Sequence, residues 1–252
     1  MFSKQISIKK IIERIVPLDH EWNKKAKERT AQLLMPTRAM GRLHDISERL
    51  CGIQKTLQPK IDRKAVLVMA GDHGVVEEGV SAYPQEVTGA MVQTFLAGGA
   101  GINAISRHIG ADVQVVDMGI IQDLDPDSID GGHKLLNHKL SHGTANLAKG
   151  PAMTPQMAEQ AILTGFQLAS ELFRNGIEIL GTGDMGIGNT TPSAAIGVVI
   201  TGKTPEQLVG RGTGIDDNSL INKREVVTRG IQVNNPDPRD GLDVLSKVGG
   251  FE

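Results

Sequence analysis

Cysteine occurs once in the 252 residues, tryptophan and tyrosine once each, and aromatic residues make up only 3%. A lone Cys51 cannot close an intrachain disulfide and fits a reducing cytosol, where a small half-buried side chain is its default role. Scarce aromatics remove the stacking platforms that single-stranded nucleic acids bind. Charge of one sign is also lacking: 27 basic against 29 acidic residues leave a net charge of −2 and a pI near 6.4. No broad basic field therefore draws nucleic acid or an anionic membrane. No apolar run approaches membrane-spanning length, and the opening Met1-Phe2-Ser3-Lys4-Gln5 lacks a signal-peptide core. What remains is an ordinary globular chain expected in the cytoplasm, long enough for one large domain or one domain with a satellite.

Glycine, by contrast, is abundant, with 30 residues. The stretch Gly181-Thr182-Gly183-Asp184-Met185-Gly186-Ile187-Gly188-Asn189-Thr190-Thr191-Pro192-Ser193 follows an apolar run, Ile177 to Leu180, and precedes another, Ala194 to Ile200. Strand, glycine-rich turn and helix in that order predict a phosphate cradle, in which backbone N–H groups and the positive end of a helix dipole approach an anion. Asn189, Thr190, Thr191 and Ser193 add capping or ligand groups. Asp184 is out of place in such a cradle, because a carboxylate repels phosphate. It is either a capping residue at a helix start or a group facing a cation, a hydroxyl or an acidic N–H.

Elsewhere the pattern alternates strands and helices. Residues 6–57 are helical in period, broken by Pro17 and Pro36. Met35 to Leu43 forms a loop whose Arg38 and Arg42 are by default solvated and alternatively hold an anion. Lys64 to Ala70 is the clearest strand, apolar on both faces as a central parallel strand must be. It ends at Gly71-Asp72-His73-Gly74, where parallel sheets collect ligands. Neighbouring side chains in extended backbone diverge, so Asp72 is expected to hold the loop rather than form a relay with His73. A helix over 87–97, a second over 102–108 and a strand over 113–119 follow. Residues 120–150 read as loop, and His133, His138 and His142 there are too scattered for a metal site. Thr154 is expected to cap a long helix from Pro155 to Asn175 with Gly176 at its end. Another helix starts at Thr204-Pro205-Glu206. Gly210-Arg211-Gly212-Thr213-Gly214 makes a second glycine-rich turn, and Asp217 or Asn218 caps the helix carrying Lys223, a plausible phosphate partner.

Two other chemistries fit parts of this pattern. Gly181-x-Gly183-x-x-Gly186 after a strand satisfies a dinucleotide fingerprint, as a nicotinamide-cofactor dehydrogenase would carry, yet the zone where an acidic ribose ligand should end a second strand is Thr204-Pro205-Glu206-Gln207, a helix start. A magnesium-dependent phosphoribosyl site wants paired acids directly after an apolar strand, and Asp216-Asp217 follows Gly-Thr-Gly-Ile instead. No metal site is expected.

Taken together, Val68 to Gly74, Gly143-Thr144 with Gly150 to Met153, the Gly181-to-Pro192 stretch, Asn235 to Gly241 and Asp243 to Phe251 closely resemble the nicotinate-nucleotide:dimethylbenzimidazole phosphoribosyltransferase family. The resemblance implies an α/β fold: a parallel Rossmann-like sheet flanked by helices, with residues 1–60 part of a small helical domain and 61–252 the nucleotide-binding domain. It implies a homodimer that moves the phosphoribosyl group of nicotinate mononucleotide onto 5,6-dimethylbenzimidazole in cobalamin assembly. No cofactor is implied, because nicotinate departs from a cationic pyridinium and needs neither acid nor metal to leave. By motif match, Gly186, Gly212 and Lys223 form the phosphate grip with Thr213 and Gly214 nearby. Tyr83 and Met91 line the base pocket, and Asp184 takes the place of a family acid beside the reacting ring. Asp72, His73, Asn189 and Thr190 support the loops. The family's general base lies in a Gly-Glu-Gly segment beyond Phe251 that this chain does not contain. The resemblance therefore leaves open an enzyme, a fragment of a longer one, and a nucleotide-binding remnant without catalysis.

Overall fold

The computed structural model describes residues 7–125 and 134–252, which divide into two compact units, Met1–Asp62 and Arg63–Glu252. His133 lies outside the described residues.

Among the described residues the first unit holds three helices: α1 (Ile8–Ile12), α2 (His20–Ala31) and α3 (Arg42–Gln54). Pro17 and Pro36 fall in the two breaks, since proline removes a helix donor and restrains the preceding residue. Asp19 starts α2 by accepting the Glu21 and Trp22 amides at 3.1 and 3.3 Å. Ala26, Cys51 and Gly52 are buried, and a Cβ at Gly52 would stand 2.9 Å from Leu18. Arg38, in a left-handed backbone conformation, pairs with Asp45 and lies 3.4 Å from Glu48. Its guanidinium is thus paired inside the unit.

The second unit is a parallel α/β layer structure. After β1 (Lys64–Gly71) come a 3-10 turn (Gly74–Glu78), α4 (Val87–Leu96), α5 (Gly101–Ile109), β2 (Ala111–Gly119), β3 (Leu135–Asn137), α6 (Pro155–Arg174), β4 (Ile179–Met185), α7 (Thr190–Thr201), α8 (Pro205–Leu208), α9 (Asp217–Asn234) and α10 (Gly241–Val248). The strand order is β3-β2-β1-β4, every pair parallel. One face of β1 and β2 packs against α6 through Leu67, Met118, Ala161, Leu168 and Leu172. The other packs against α4 and α5 through Val68, Val115, Val92, Leu96 and Ile102. Burial on both faces is why β1 reads as an unbroken apolar run rather than an alternating one. A separate cluster of Ala195, Val227, Val244 and Val248 joins α7, α9 and α10. No helix among the described residues is long and apolar enough to cross a membrane.

Several elements differ from the sequence reading. Gly181, Gly183 and Asp184 lie within β4, paired to Val66, Val68 and Met69, so the strand runs five residues past Leu180. Without Cβ atoms, Gly181 and Gly183 let β4 lie against Val66 and Val68, and a Cβ on them would meet those side chains at 3.3 and 3.5 Å. These glycines serve strand packing, not a turn. This displaces the dinucleotide fingerprint, whose first two glycines must make a strand-to-helix turn. Helix α9 is capped by Asp216, which accepts the Ser219 amide at 2.8 Å, one residue before the expected cap. The stretch read as loop over 120–150 contains β3, a three-residue strand with no period to betray it. Thr154 caps α6 as expected, accepting the Met157 amide at 3.2 Å, and Gly176 follows with φ +88°.

Candidate active site

The chain lays β1, β2 and β3 outward in sequence, then returns to place β4 on the opposite side of β1. Such a reversal opens a crevice beyond the carboxyl ends of the two diverging strands, here β1 and β4. The residues leaving them are Gly71-Asp72-His73 and Met185-Gly186. A Cβ at Gly186 would stand 2.1 Å from the Gly71 carbonyl and 3.0 Å from His73 Nε2, so only glycine lets the two exits meet.

Asp72 is buried and organises this end. Its Oδ2 accepts the Ile121 N–H at 2.8 Å, while its backbone N–H reaches Gly119 O at 2.9 Å and its carbonyl accepts the Thr144 N–H at 2.9 Å. Burial pushes the Asp72 carboxyl above its ordinary range, against the Ile121 N–H and Thr88 hydroxyl that lower it. His73, 1% exposed, accepts the Gln85 amide on its carbonyl at 3.0 Å and turns its ring toward Gly186.

On one side of the crevice lies a cationic pocket. Lys223, on α9, is 1% exposed, and its Nζ donates to Thr190 Oγ1 at 2.6 Å. Among the described residues no carboxylate pairs with it, and burial alone pushes its pKa down. Gly212 stands opposite with φ +54°, and a Cβ there would lie 2.7 Å from Thr190 Oγ1 and 3.0 Å from Lys223 Nζ. Thr190, Ser193, Gly197, Gly210 and Gly212 line a cleft of about 320 Å³ at this point. The two glycine-rich stretches are therefore neighbours. Helix α9 is fixed by Asn222 Nδ2 donating to Glu78 O and Asn234 Nδ2 to Leu147 O, both at 2.7 Å.

The expected row of free amides at the start of α7 is largely occupied. Ile187 N–H donates to Thr88 Oγ1 at 3.0 Å, Asn189 to Gly186 O at 3.0 Å, Thr191 to Gly188 O at 2.9 Å and Ser193 to Asn189 O at 3.1 Å, while Pro192 has no N–H. An anion here meets Lys223 and the Thr190 hydroxyl more than a backbone cradle.

On the other side, Asp184 lines a cleft of about 380 Å³ with Leu67, Met69, Gly165, Ala169, Leu180, Thr182, Gly183 and Glu252. Its Oδ2 accepts the Asn189 amide at 2.6 Å. Asp184 is thus not a helix cap; it is an exposed carboxylate held by Asn189 at the edge of this cleft. Adjacent residues serve the two clefts: Asn189 holds the carboxylate and Thr190 meets the lysine.

Other positions named from sequence fall at the margin. Thr213 Oγ1 accepts the Ala82 N–H at 3.0 Å and stands 3.3 Å from Ser81 Oγ, tying the second glycine turn to the loop before α4. Gly214, φ +89°, has open space where a Cβ would stand. Tyr83 is on that loop, 53% exposed, and Met91 packs on the α4 side of the core; neither lines the Asp184 cleft. His142 Nε2 lies 3.1 Å from Asp123 Oδ1, and among the described residues no group of three His, Cys, Asp or Glu is placed to hold a metal. A larger groove of about 580 Å³ on α9, lined by Glu206, Arg224, Glu225 and Arg229, mixes both charges away from the strand ends.

Sequence reasoning missed Glu252. Its Oε1 lies 2.5 Å from His73 Nε2, and its side chain is 7% exposed. An acid directly after Gly249-Gly250-Phe251 was the available signal, because paired glycines admit close neighbours.

The phosphoribosyltransferase family model DBI_PRT matches residues 15–252. The chain is 49% identical over 238 residues to the nicotinate-nucleotide–dimethylbenzimidazole phosphoribosyltransferase of Desulfotalea psychrophila, covering 94% of this chain and 66% of that one. It is 49% identical over 241 residues to the enzyme of that name from Syntrophotalea carbinolica, covering 96% and 67%. The crystal structure of CobT from Thermus thermophilus superposes with a TM-score of 0.84 at 45% identity, over 92% of this chain and 68% of that one. The chain spans about two thirds of the length of these relatives.

Proposed function

The chain belongs to the nicotinate-nucleotide–dimethylbenzimidazole phosphoribosyltransferase family, and from that premise we propose that it transfers the phosphoribosyl group of nicotinate mononucleotide to 5,6-dimethylbenzimidazole. The products are α-ribazole 5′-phosphate and nicotinate, as cobalamin nucleotide assembly requires. The observation that carries this reading is Lys223, a buried ammonium without a carboxylate partner among the described residues, set between Thr190 and Gly212. A buried charge is costly unless an ion compensates it, and a phosphate monoester does so through charge-assisted hydrogen bonds.

In this reading Lys223, Thr190 and the Gly212–Gly214 turn hold the phosphate, with Gly186 setting the floor against β1. The ribose spans from there toward Asp184. The C1′–N bond breaks with its electron pair going to the pyridinium nitrogen, which leaves as neutral-ring nicotinate. The benzimidazole nitrogen bonds to C1′, and the proton on its other nitrogen is released. Asp184, fixed by Asn189, stabilises the positive charge that builds on the ribose ring. Tyr83 and Met91 are taken as base-pocket residues on the family resemblance alone, since they lie on the α4 side and outside the Asp184 cleft. The same proposal takes residues 1–60 as a segment of a small helical domain and the protein as a cytoplasmic homodimer, which the family resemblance supports and sedimentation equilibrium tests.

The test is direct. The full chain is titrated with nicotinate mononucleotide, dimethylbenzimidazole is added, and nicotinate and α-ribazole phosphate are followed by chromatography. Formation of both supports the enzyme, with Asp184→Asn expected to cut turnover and leave folding intact. Binding without transfer contradicts catalysis by this chain and leaves nucleotide binding.

A further inference from the structure

The second glycine-rich turn, residues 210–214, faces two ways. Gly212 stands against the phosphate pocket, where a Cβ would lie 3.0 Å from Lys223 Nζ and 2.7 Å from Thr190 Oγ1. The next residue, Thr213, turns its hydroxyl instead to the loop that precedes α4. There Oγ1 accepts the Ala82 N–H at 3.0 Å and lies 3.3 Å from Ser81 Oγ, which itself accepts the Tyr83 N–H at 3.3 Å. The motif match puts Thr213 with the phosphate grip, whereas its hydroxyl is engaged 131 residues back along the chain.

Both ends of that loop are fixed by other bonds. Asn222, the residue before Lys223, donates from Nδ2 to Glu78 O at 2.7 Å, Val80 is buried, and Gln85 Nε2 donates to His73 O at 3.0 Å. The middle is different. Ala82, Tyr83 and Pro84 are exposed, and the Ala82 and Tyr83 amides rest on two hydroxyls. Exposed hydrogen bonds contribute little net stability, because water replaces either partner readily. Thr213 also sits between Gly212 at φ +54° and Gly214 at φ +89°, residues with many accessible backbone states, so the turn loses entropy when it is held. A latch of this kind is one that a ligand can tip.

We propose that Thr213 is a positioning residue that couples the phosphate pocket to residues 81–84. An anion seated against Lys223 and Gly212 fixes the turn, and the fixed turn holds the loop through the Thr213 hydroxyl. The identity of that anion as the donor's phosphate rests on the phosphoribosyl-transfer reading, whereas the coupling needs only an anion in the pocket. The physical basis is shared ordering: once the ligand has fixed the turn, holding the loop no longer requires the turn to be ordered as well. The consequence for transfer is sequence. The phosphoribosyl donor sets the loop that carries Tyr83, which the family resemblance assigns to the base, before the acceptor arrives.

Hydrogen–deuterium exchange of the full chain, followed by mass spectrometry of the peptide that contains Ala82 and Tyr83, reads the two amides. It is measured without inorganic phosphate and with phosphate at a concentration that calorimetry shows to saturate each protein, in wild type, Thr213→Val and Thr213→Ser. In wild type, phosphate is expected to slow exchange of this peptide roughly tenfold. Thr213→Val keeps the shape and removes the hydroxyl, so its peptide exchanges fast whether or not phosphate is bound; Thr213→Ser restores the phosphate-dependent protection. Exchange within α6 stays the same throughout, which separates coupling from a general loss of structure. Equal exchange of the wild-type peptide with and without bound phosphate overturns the proposal and leaves the phosphate pocket standing. Protection that persists in Thr213→Val overturns it too, as does loss of phosphate binding in Thr213→Val, which would make the hydroxyl a ligand of the anion and not a link to the loop. A wild type that binds neither phosphate nor nicotinate mononucleotide removes the pocket itself, and the coupling with it.

Discussion

Lys223 and Asp72 are buried ionisable residues whose shifts run in opposite senses. Burial lowers the Lys223 pKa in the fold, so between that value and the ordinary lysine range, near 10.4, the unfolded chain binds more protons than the folded one. Stability attributable to Lys223 therefore rises with pH through this window. Replacing it with methionine removes an uncompensated buried charge: urea unfolding should find Lys223→Met at least as stable as wild type at neutral pH, its advantage shrinking as pH climbs. Asp72 behaves inversely. Burial raises its pKa, so the folded chain holds the extra proton, and stability falls as pH rises from the ordinary value of about 3.9 through the raised one. Asp72→Asn keeps an acceptor for the Ile121 N–H and should gain on wild type across that rise, measured by urea unfolding at stepped pH. A constant difference would show that Asp72 does not titrate differently in the fold. From sequence, Asp72 stood out because glycines flank it at a strand end. Glu252 carried only the signal of the paired glycines before it, because its partner His73 lies at the far end of the unit's sequence and no local spacing connects them.

At the level of elements, β1 and α6 could be read directly, β1 from its two-faced apolar run and α6 from its Thr154 cap and long period. The strand carrying Asp184 could not be bounded. Glycine marks both turns and close strand packing, and only the neighbouring Val66 and Val68 decide between them. The strand limit matters, because it moves Asp184 from an imagined phosphate loop to a strand end facing a cleft. Gly186 is the hinge of this geometry. A methyl group there meets the Gly71 carbonyl backbone, which has no rotamer to yield. Gly186→Ala should lower stability by about 1–3 kcal/mol and weaken phosphate and ring ligands together, as seen by denaturation and calorimetry. Unchanged binding of both would remove the strand exits from the site. Thr154→Ala gives the contrast: loss of a cap costs about 1 kcal/mol in denaturation while leaving phosphate affinity unaltered, since α6 contributes nothing to the Lys223 pocket.

For the whole molecule, the account is one of division of labour across a topological reversal. The sheet brings β1 and β4 together, α9 delivers a cation to one side of their exits, and Asp184 lines a cleft on the other. The parallel order was anticipated by alternating strands and helices, but which strand would sit beside β1 on the far side is a tertiary outcome that composition and spacing do not carry. The most direct measurement of the central claim compares nicotinate mononucleotide with nicotinate riboside, which lacks the phosphate, by calorimetry on wild type and Lys223→Met. The account predicts that wild type prefers the mononucleotide by roughly a hundredfold, about 2.7 kcal/mol, and that Lys223→Met binds the two nearly alike. Retention of the full preference in Lys223→Met, or its absence in wild type, would contradict it.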